Sequence, residues 1–247
     1  MDIKPSQCAS NQTMLKQILS FLNFPRKRHG LFVVVMGLDG SGKSTLIELV
    51  SHSLEQLFNA EIDHFHFTTG LFPPLASFIG RRRPDMEAVT NPHGKPTSGK
   101  FLSMIRLGYY LLDCLLGVWL IVYPKLLKTK PHFVFFDRYF YDCFIDPARY
   151  RINLGGPLLW SLKLLVPRPD LIIMLVPHPE VFHQRKPELP LTELRRQADR
   201  MHKLADALNH VKWVDTCNSI NASVGDITEA IIHASRDTLP WLSIPHQ

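Results

Sequence analysis

Cysteine is scarce in this sequence. Four of its 247 residues are cysteines, Cys8, Cys114, Cys143 and Cys217, and none form C-x-x-C. A disulfide framework and a cysteine-based zinc site are therefore not expected, and a reducing cytosol fits best. The first residues, MDIKPSQCASNQTMLKQ, lack the basic and apolar succession of a secretory signal. Without one, the N-x-S/T matches at Asn11 and Asn221 are read as chance. Long apolar runs are missing too. The most apolar stretch, 101–127, is interrupted by Arg106 and Asp113 and ended by Pro124-Lys125. Its longest uncharged run falls well short of the roughly 20 residues that a membrane span needs. No transmembrane span is expected. Leu112, Leu116, Trp119, Leu120 and Tyr123 recur at helical spacing and predict a long, largely buried helix; contact with a membrane or partner is the alternative. Neither H-E-x-x-H nor a Ser-His-Asp arrangement occurs. His64 and His66 share one side of a predicted strand but have no third ligand nearby. They are read as packed or hydrogen-bonded histidines.

What is present is globular: 45% hydrophobic and 20% charged residues. The length suits one domain of more than average size, or one core with an insertion. Lys and Arg total 28 against 22 Asp and Glu, a net charge of +6. That excess favours anionic partners: nucleic acid, a membrane surface or phosphorylated small molecules. No nucleic-acid module is visible, so Arg81-Arg82-Arg83 is read as a basic loop.

Residues 1–29 read as a lead helix (Met14, Leu15, Ile18, Leu19, Leu22) and a solvated basic linker, Arg26-Lys27-Arg28. Residues 30–240 read as a single domain. Apolar runs at 31–36, 62–67, 132–136, 171–176 and 211–214 predict strands. Helical patterns fill 43–58, 191–208 and about 224–235. Strands alternating with helices indicate an α/β fold with a parallel sheet. The segment 68–100 holds five prolines and the arginine triplet, and reads as irregular.

The strongest signal is Gly37-Leu38-Asp39-Gly40-Ser41-Gly42-Lys43-Ser44-Thr45, a full match to G-x-x-x-x-G-K-[ST]. A buried strand precedes it and an amphipathic helix follows, the context that this phosphate loop requires. Glycines let backbone N–H groups turn inward onto phosphate oxygens, and the helix N-terminus adds its positive end. Lys43 is placed to reach the β- and γ-phosphates and the Ser44 hydroxyl to ligate Mg²⁺. The near-copy at 94–101 has Phe101 where that hydroxyl belongs and reads as loop. The loop specifies a nucleoside triphosphate but not a reaction. No N-K-x-D for guanine and no LSGGQ-like signature occurs, which argues against a GTPase and an ABC-type ATPase. A kinase needs an acceptor site, and Phe135-Phe136-Asp137-Arg138-Tyr139 closes the third strand. Asp137 would emerge at the carboxyl edge, where ligands of open α/β sheets bind, and could hold Mg²⁺. Arg138 can fork onto an acceptor phosphate. Tyr139, Asp142, Asp146 and Arg149 extend the polar candidates on the acceptor side.

GLDGSGKST, Asp137-Arg138-Tyr139 and PDLIIMLVPHPEVFHQRKPE (169–188) resemble thymidylate kinases and related P-loop nucleoside monophosphate kinases. The resemblance covers about 31–60 and 130–235. It implies a three-layer NMP-kinase-like fold with a five-stranded parallel sheet in order 2-3-1-4-5. It also implies Mg·ATP-dependent phosphoryl transfer to a nucleoside monophosphate such as dTMP. Asp39 would then face the acceptor sugar, Arg138 and Arg106 would bind the acceptor phosphate, and Asp137 would serve the magnesium shell. A lid at about 183–192 would bring Arg185 and Lys186 to the transferring group. The chain departs from the family after the second strand. His64-Phe65-His66-Phe67-Thr68-Thr69-Gly70 stands where an Arg- and Pro-containing acceptor loop is usual, and 68–130 forms an enlarged insertion. The acceptor therefore stays open: a sugar or other small molecule on the same fold, or a nucleotide-dependent switch, are the alternatives. A homodimer is compatible with all three.

Overall fold

The computed structural model describes residues 28–73, 97–185 and 187–238. The lead helix, the Arg81–Arg83 triplet and Lys186 lie outside them. The five apolar runs form β1 (Gly30–Met36), β2 (Glu61–His66), β3 (His132–Asp137), β4 (Leu171–Leu175) and β5 (Val211–Val214). Along the chain, α1 (Lys43–Phe58) follows β1. Between β2 and β3 lie α2 (Lys100–Gly117), a π-helical turn (Val118–Val122) and α3 (Tyr123–Leu126). Then come α4 (Asp142–Ile145) and α5 (Gly156–Leu162) before β4, α6 (Pro179–Arg185) and α7 (Leu191–Asp206) before β5, and α8 (Ile220–Thr238) after it.

The strand order is 2-3-1-4-5 and every pairing is parallel. Every residue of β1 is buried, as a central strand covered on both faces must be. Its side chains alternate between two cores. Leu31, Val33 and Val35 pack with Leu46, Val50 and Leu54 of α1 and Ile227 and Ile231 of α8. Phe32, Val34 and Met36 pack with Leu107 and Cys114 of α2 and Met201 and Leu204 of α7. Helices thus cover both faces of the sheet, a three-layer sandwich.

Two expectations change. The basic linker is not wholly solvated: Arg28 is only 5% exposed and pairs with Asp170. That carboxylate also accepts the Phe32 N–H at 2.7 Å, so the pair ties the entry to β1 onto the segment before β4. The long apolar helix is not largely buried either. It turns Leu107, Cys114, Val118, Val122 and Leu126 to the core. Phe101, Ile105, Leu112, Leu116 and Leu120 face outward, with Phe101 79% and Leu120 62% exposed. The physical reason is geometric. A helix lying on one face of a sheet buries one stripe, and this one is apolar on both sides. By length and composition alone, Lys100–Leu126 is a candidate membrane span, with 33% of its most apolar window buried.

The acid that interrupts this helix anchors the acceptor side. Buried Asp113 accepts the Thr69 N–H at 2.9 Å, the Thr69 hydroxyl at 3.1 Å and the Phe72 N–H at 3.1 Å. A buried carboxylate needs such donors. One turn on, Gly117 admits Thr69; a Cβ there would lie 1.7 Å from its Oγ1.

Candidate active site

The carboxyl edge of the sheet gathers the candidates. Past β1 the chain turns through Gly40 (φ 81°) and Gly42 (φ 84°), conformations natural to glycine, and enters α1 at Lys43. Space at Gly37 is tight: a Cβ would meet Ser41 Oγ at 2.7 Å and Leu175 Cβ at 3.1 Å, so the Ser41 hydroxyl would have to turn away. Lys43 Nζ donates to the carbonyls of Gly37 (3.0 Å) and Leu38 (2.9 Å), folding the loop around its own cation. Burial, then the neighbouring Arg138 charge, lower the Lys43 pKa to about 8. Ser41 is buried, while Ser44 and Thr45 are exposed on the first turn of α1.

The Ser44 hydroxyl donates to Asp137 Oδ2 at 2.7 Å, joining the loop to the end of β3. Asp137 Oδ1 is buried without a hydrogen-bond partner. A hydroxyl oxygen and a carboxylate with an unsatisfied oxygen form an all-oxygen donor set that suits Mg²⁺. Beside them lies a cavity of about 370 Å³ that also meets Glu48, His64 and His66. His64 pairs with Ser51 Oγ at 3.2 Å and stacks on Phe135. A larger cavity of about 770 Å³ lies at the amino-terminal ends of β4 and β5, around Arg28, Asp170 and His210, away from this edge.

On the acceptor side, residues distant in sequence join one charged network. Asp39 pairs with both Arg138 and Arg149. Arg138 Nη1 donates to Asp142 Oδ2 at 2.7 Å, and so does the Tyr150 hydroxyl at 2.7 Å. Arg149 Nε donates to Asp146 Oδ2 at 3.3 Å. Asp142, Asp146 and Arg138 are all buried. Burial opposes charge on Arg138, but Asp142, Tyr150 and Asp39 more than offset it and raise its pKa. Burial, then the Asp142 charge, hold the Tyr150 hydroxyl well above its usual range, so it remains a donor. Arg138 itself sits at φ 72°, a left-handed conformation costly for a side-chain-bearing residue, and its N–H bonds the Val35 carbonyl at 3.0 Å. Such strain persists where surrounding bonds over-determine it, often at functional sites.

Other candidates sit elsewhere. Tyr139 turns into the core, its hydroxyl donating to the Pro167 carbonyl at 2.8 Å. The residue after an edge-facing Arg138 points inward, as the turn requires. Arg106 is half-buried on α2, where its charge lies close to the Tyr110 hydroxyl. Arg185 is exposed at the end of α6, 5.9 Å from the Phe182 ring. Phe182 in turn shares an apolar cluster with Leu38 of the glycine-rich loop, so α6 packs against that loop. The meeting of three aromatic rings escaped the sequence reading. Phe67 stacks on Tyr150 at 4.1 Å and meets Tyr110 edge-on at 5.1 Å, giving the acceptor side an aromatic wall. The available signal was Phe67 directly after β2, where a carboxyl-edge loop begins.

No family model matches the chain. Among curated proteins, it is 28% identical over 216 residues to the "Probable thymidylate kinase" of Pyrococcus horikoshii, across 83% of this chain and 97% of that protein. Among solved structures, thymidylate kinase from Ehrlichia chaffeensis matches with a TM-score of 0.52 and 17% identity. That match covers 82% of this chain and 98% of the other. At that identity the structural likeness concerns the fold, and the fold is that of a thymidylate kinase.

Proposed function

We propose that this thymidylate kinase-like chain is a phosphotransferase that moves the γ-phosphoryl group of ATP to a nucleoside monophosphate, dTMP first. The observation that carries this reading is the position of Asp39. It belongs to the glycine-rich loop, yet it pairs with two arginines from the segment after β3. Donor-phosphate and acceptor elements therefore meet at one residue. The sequence similarity to the Pyrococcus horikoshii protein supports the same reading.

Phosphoryl transfer depends on positioning and charge neutralisation. Backbone N–H groups of the loop and the first turn of α1, other than the Ser41 N–H that bonds the Leu38 carbonyl at 3.2 Å, together with the Lys43 ammonium receive the ATP phosphates. Ser44 and Asp137 would hold Mg²⁺, which would supply charge neutralisation for the triphosphate. Arg138 and Arg149 receive the acceptor phosphate, which replaces Asp39 as their anion and leaves Asp39 to the acceptor sugar. Asp142, Asp146 and Tyr150 keep the guanidiniums aimed. Arg106 stands beside the aromatic wall on the acceptor side. Arg185, with Lys186, belongs to a lid over about 183–192 and adds positive charge near the transferring group. The setting of the reaction is the cytoplasm.

The test is ADP release with Mg·ATP and a panel of nucleoside monophosphates and sugars. The highest kcat/KM is expected with dTMP. Turnover of a sugar and of no nucleotide would replace the acceptor, and acceptor-independent ADP release would point to a switch. The exposed apolar face of α2 and of the π-helical turn that continues it is assigned to a homodimer, whose interface would cover Leu112, Leu116 and Leu120. Sedimentation should show a dimer for the full chain and a monomer for Leu116→Glu. A monomeric full chain at micromolar concentration would sink that assignment.

A further inference from the structure

Beyond the phosphate-handling edge, the ends of β4 and β5 bring together three side chains that phosphoryl transfer does not use. His178 follows β4 and immediately precedes α6, while Asp215 and Cys217 follow β5. One ligand atom from each lies within 4.8 Å of the others. His178 Nε2 is 2.9 Å from Asp215 Oδ1. The same carboxylate oxygen accepts the Cys217 N–H at 2.8 Å. This local turn fixes the carboxylate beside the Cys217 side chain. Among the described cysteines, Cys114 and Cys143 are buried and Cys217 is exposed.

We propose that His178, Asp215 and Cys217 form a site for a borderline divalent transition-metal ion, Zn²⁺ first, that clamps the loops after β4 and β5. The donor set is one imidazole nitrogen, one carboxylate oxygen and one thiolate. Zn²⁺ accepts such mixed N, O and S sets, whereas Mg²⁺ prefers oxygen alone. Three ligands at about 2.0–2.3 Å from a tetrahedral ion require the donor atoms to stand about 3.5 Å apart, a small adjustment of the present cluster. The fourth position is left to water. On binding, the Nε2 proton that bonds Asp215 leaves, to solvent from an imidazolium or by tautomeric shift to Nδ1 from a neutral ring, which frees the Nε2 lone pair; Cys217 releases its thiol proton to solvent, and the His178–Asp215 hydrogen bond gives way to two metal bonds. The Cys217 N–H keeps its bond to Asp215 and orients that ligand from outside, as hydrogen bonds to ligating carboxylates do. Because His178 leads directly into α6, and Phe182 of α6 packs with Leu38, the ion would tie the β5 loop to the helix that supports the glycine-rich loop.

Co²⁺ reports thiolate coordination by colour. Titrating the full-length protein with Co²⁺ alone, in buffer containing excess Mg²⁺, should develop a near-ultraviolet sulfur-to-cobalt band that saturates at one equivalent. Zn²⁺ should then abolish it. Cys217→Ser should remove the band, and His178→Ala should weaken Co²⁺ binding by more than about 100-fold, beyond the usual cost of an outer hydrogen-bond partner. Both positions are on loops and at least partly exposed, and thermal melts should show both variants folded. No band in the wild type, a band unchanged in Cys217→Ser, or equal Co²⁺ affinity in His178→Ala would overturn the site. None of these outcomes depends on kinase turnover.

Discussion

Lys43→Ala lowers phosphoryl transfer by roughly 10²–10³-fold, the cost of removing one preorganised charged donor from a transition state. The protein stays folded. Lys43 makes two hydrogen bonds, to the Gly37 and Leu38 carbonyls, and its burial already opposes the charge that makes them. Losing a desolvated cation together with those bonds leaves stability within about 1–2 kcal/mol. Circular dichroism and a urea melt check the fold, and single-turnover kinetics check the chemistry. Lys43→Met retains the aliphatic stem and separates packing from charge: it should be as inactive as Lys43→Ala. Near wild-type turnover in either variant would refute the role of the loop.

The same residue predicts a pH trend. With its pKa lowered to about 8, Lys43 in the free protein loses its proton as the pH rises through that value. ATP then meets a neutral amine, so binding without acceptor should weaken between about pH 7 and pH 9, approaching tenfold per unit at the upper end. The sign for folding is opposite. The unfolded lysine keeps its proton up to its ordinary value of 10.5, so between about 8 and 10.5 the unfolded chain binds more protons. This group therefore makes the free fold gain stability as pH rises through that window. Both trends should vanish in Lys43→Ala. A pH-independent ATP affinity in the wild type would contradict the buried-cation account.

Much of this edge was legible because its signals are local. LFVVVM carries its own evidence for a doubly covered strand, and the loop after it is a contiguous motif. The long helical patterns at 43–58 and 191–208 return as Lys43–Phe58 and Leu191–Asp206. The four-residue α4 and seven-residue α5 and α6 are too short to display a 3.6-residue period. The π-helical turn at Val118–Val122 has no residue signature, because it only adds one residue to a helical turn. Asp113 was visible as a charge in an apolar stretch, but its partners lie more than 40 residues away. The pairing of Asp39 with Arg138 and Arg149 spans 99 and 110 positions. Sequence placed those groups on the acceptor side through motif and resemblance; only folding joins them. Tyr139 shows the opposite failure. Its place beside Arg138 suggested the acceptor pocket, yet adjacent side chains at a strand end point to different sides.

Arg138→Ala should damage both stability and acceptor use, and the two losses can be separated. The guanidinium is buried between Asp142 and Asp39, so its removal leaves Asp142 with the Tyr150 hydroxyl but no cation. Breaking a buried ion pair by deleting one partner costs about 3–5 kcal/mol. Alanine also inherits the left-handed φ of 72°, keeping the backbone bond to Val35 but losing the side-chain bonds that help to hold it. The double variant Arg138→Ala/Asp142→Asn removes the orphaned charge and should recover much of the lost stability, read as the urea midpoint at constant slope. It should not recover acceptor use. With one of two phosphate-facing forks missing, kcat/KM for the acceptor should stay down by about 10²-fold or more, while ATP binding changes little. Arg138→Lys keeps the charge but lacks the planar fork that meets Asp142 and Asp39 together, and should lie between. If the double variant regained acceptor turnover along with stability, Arg138 would be a structural tie. If neither variant changed the acceptor response, the acceptor would bind elsewhere than the Asp39 network.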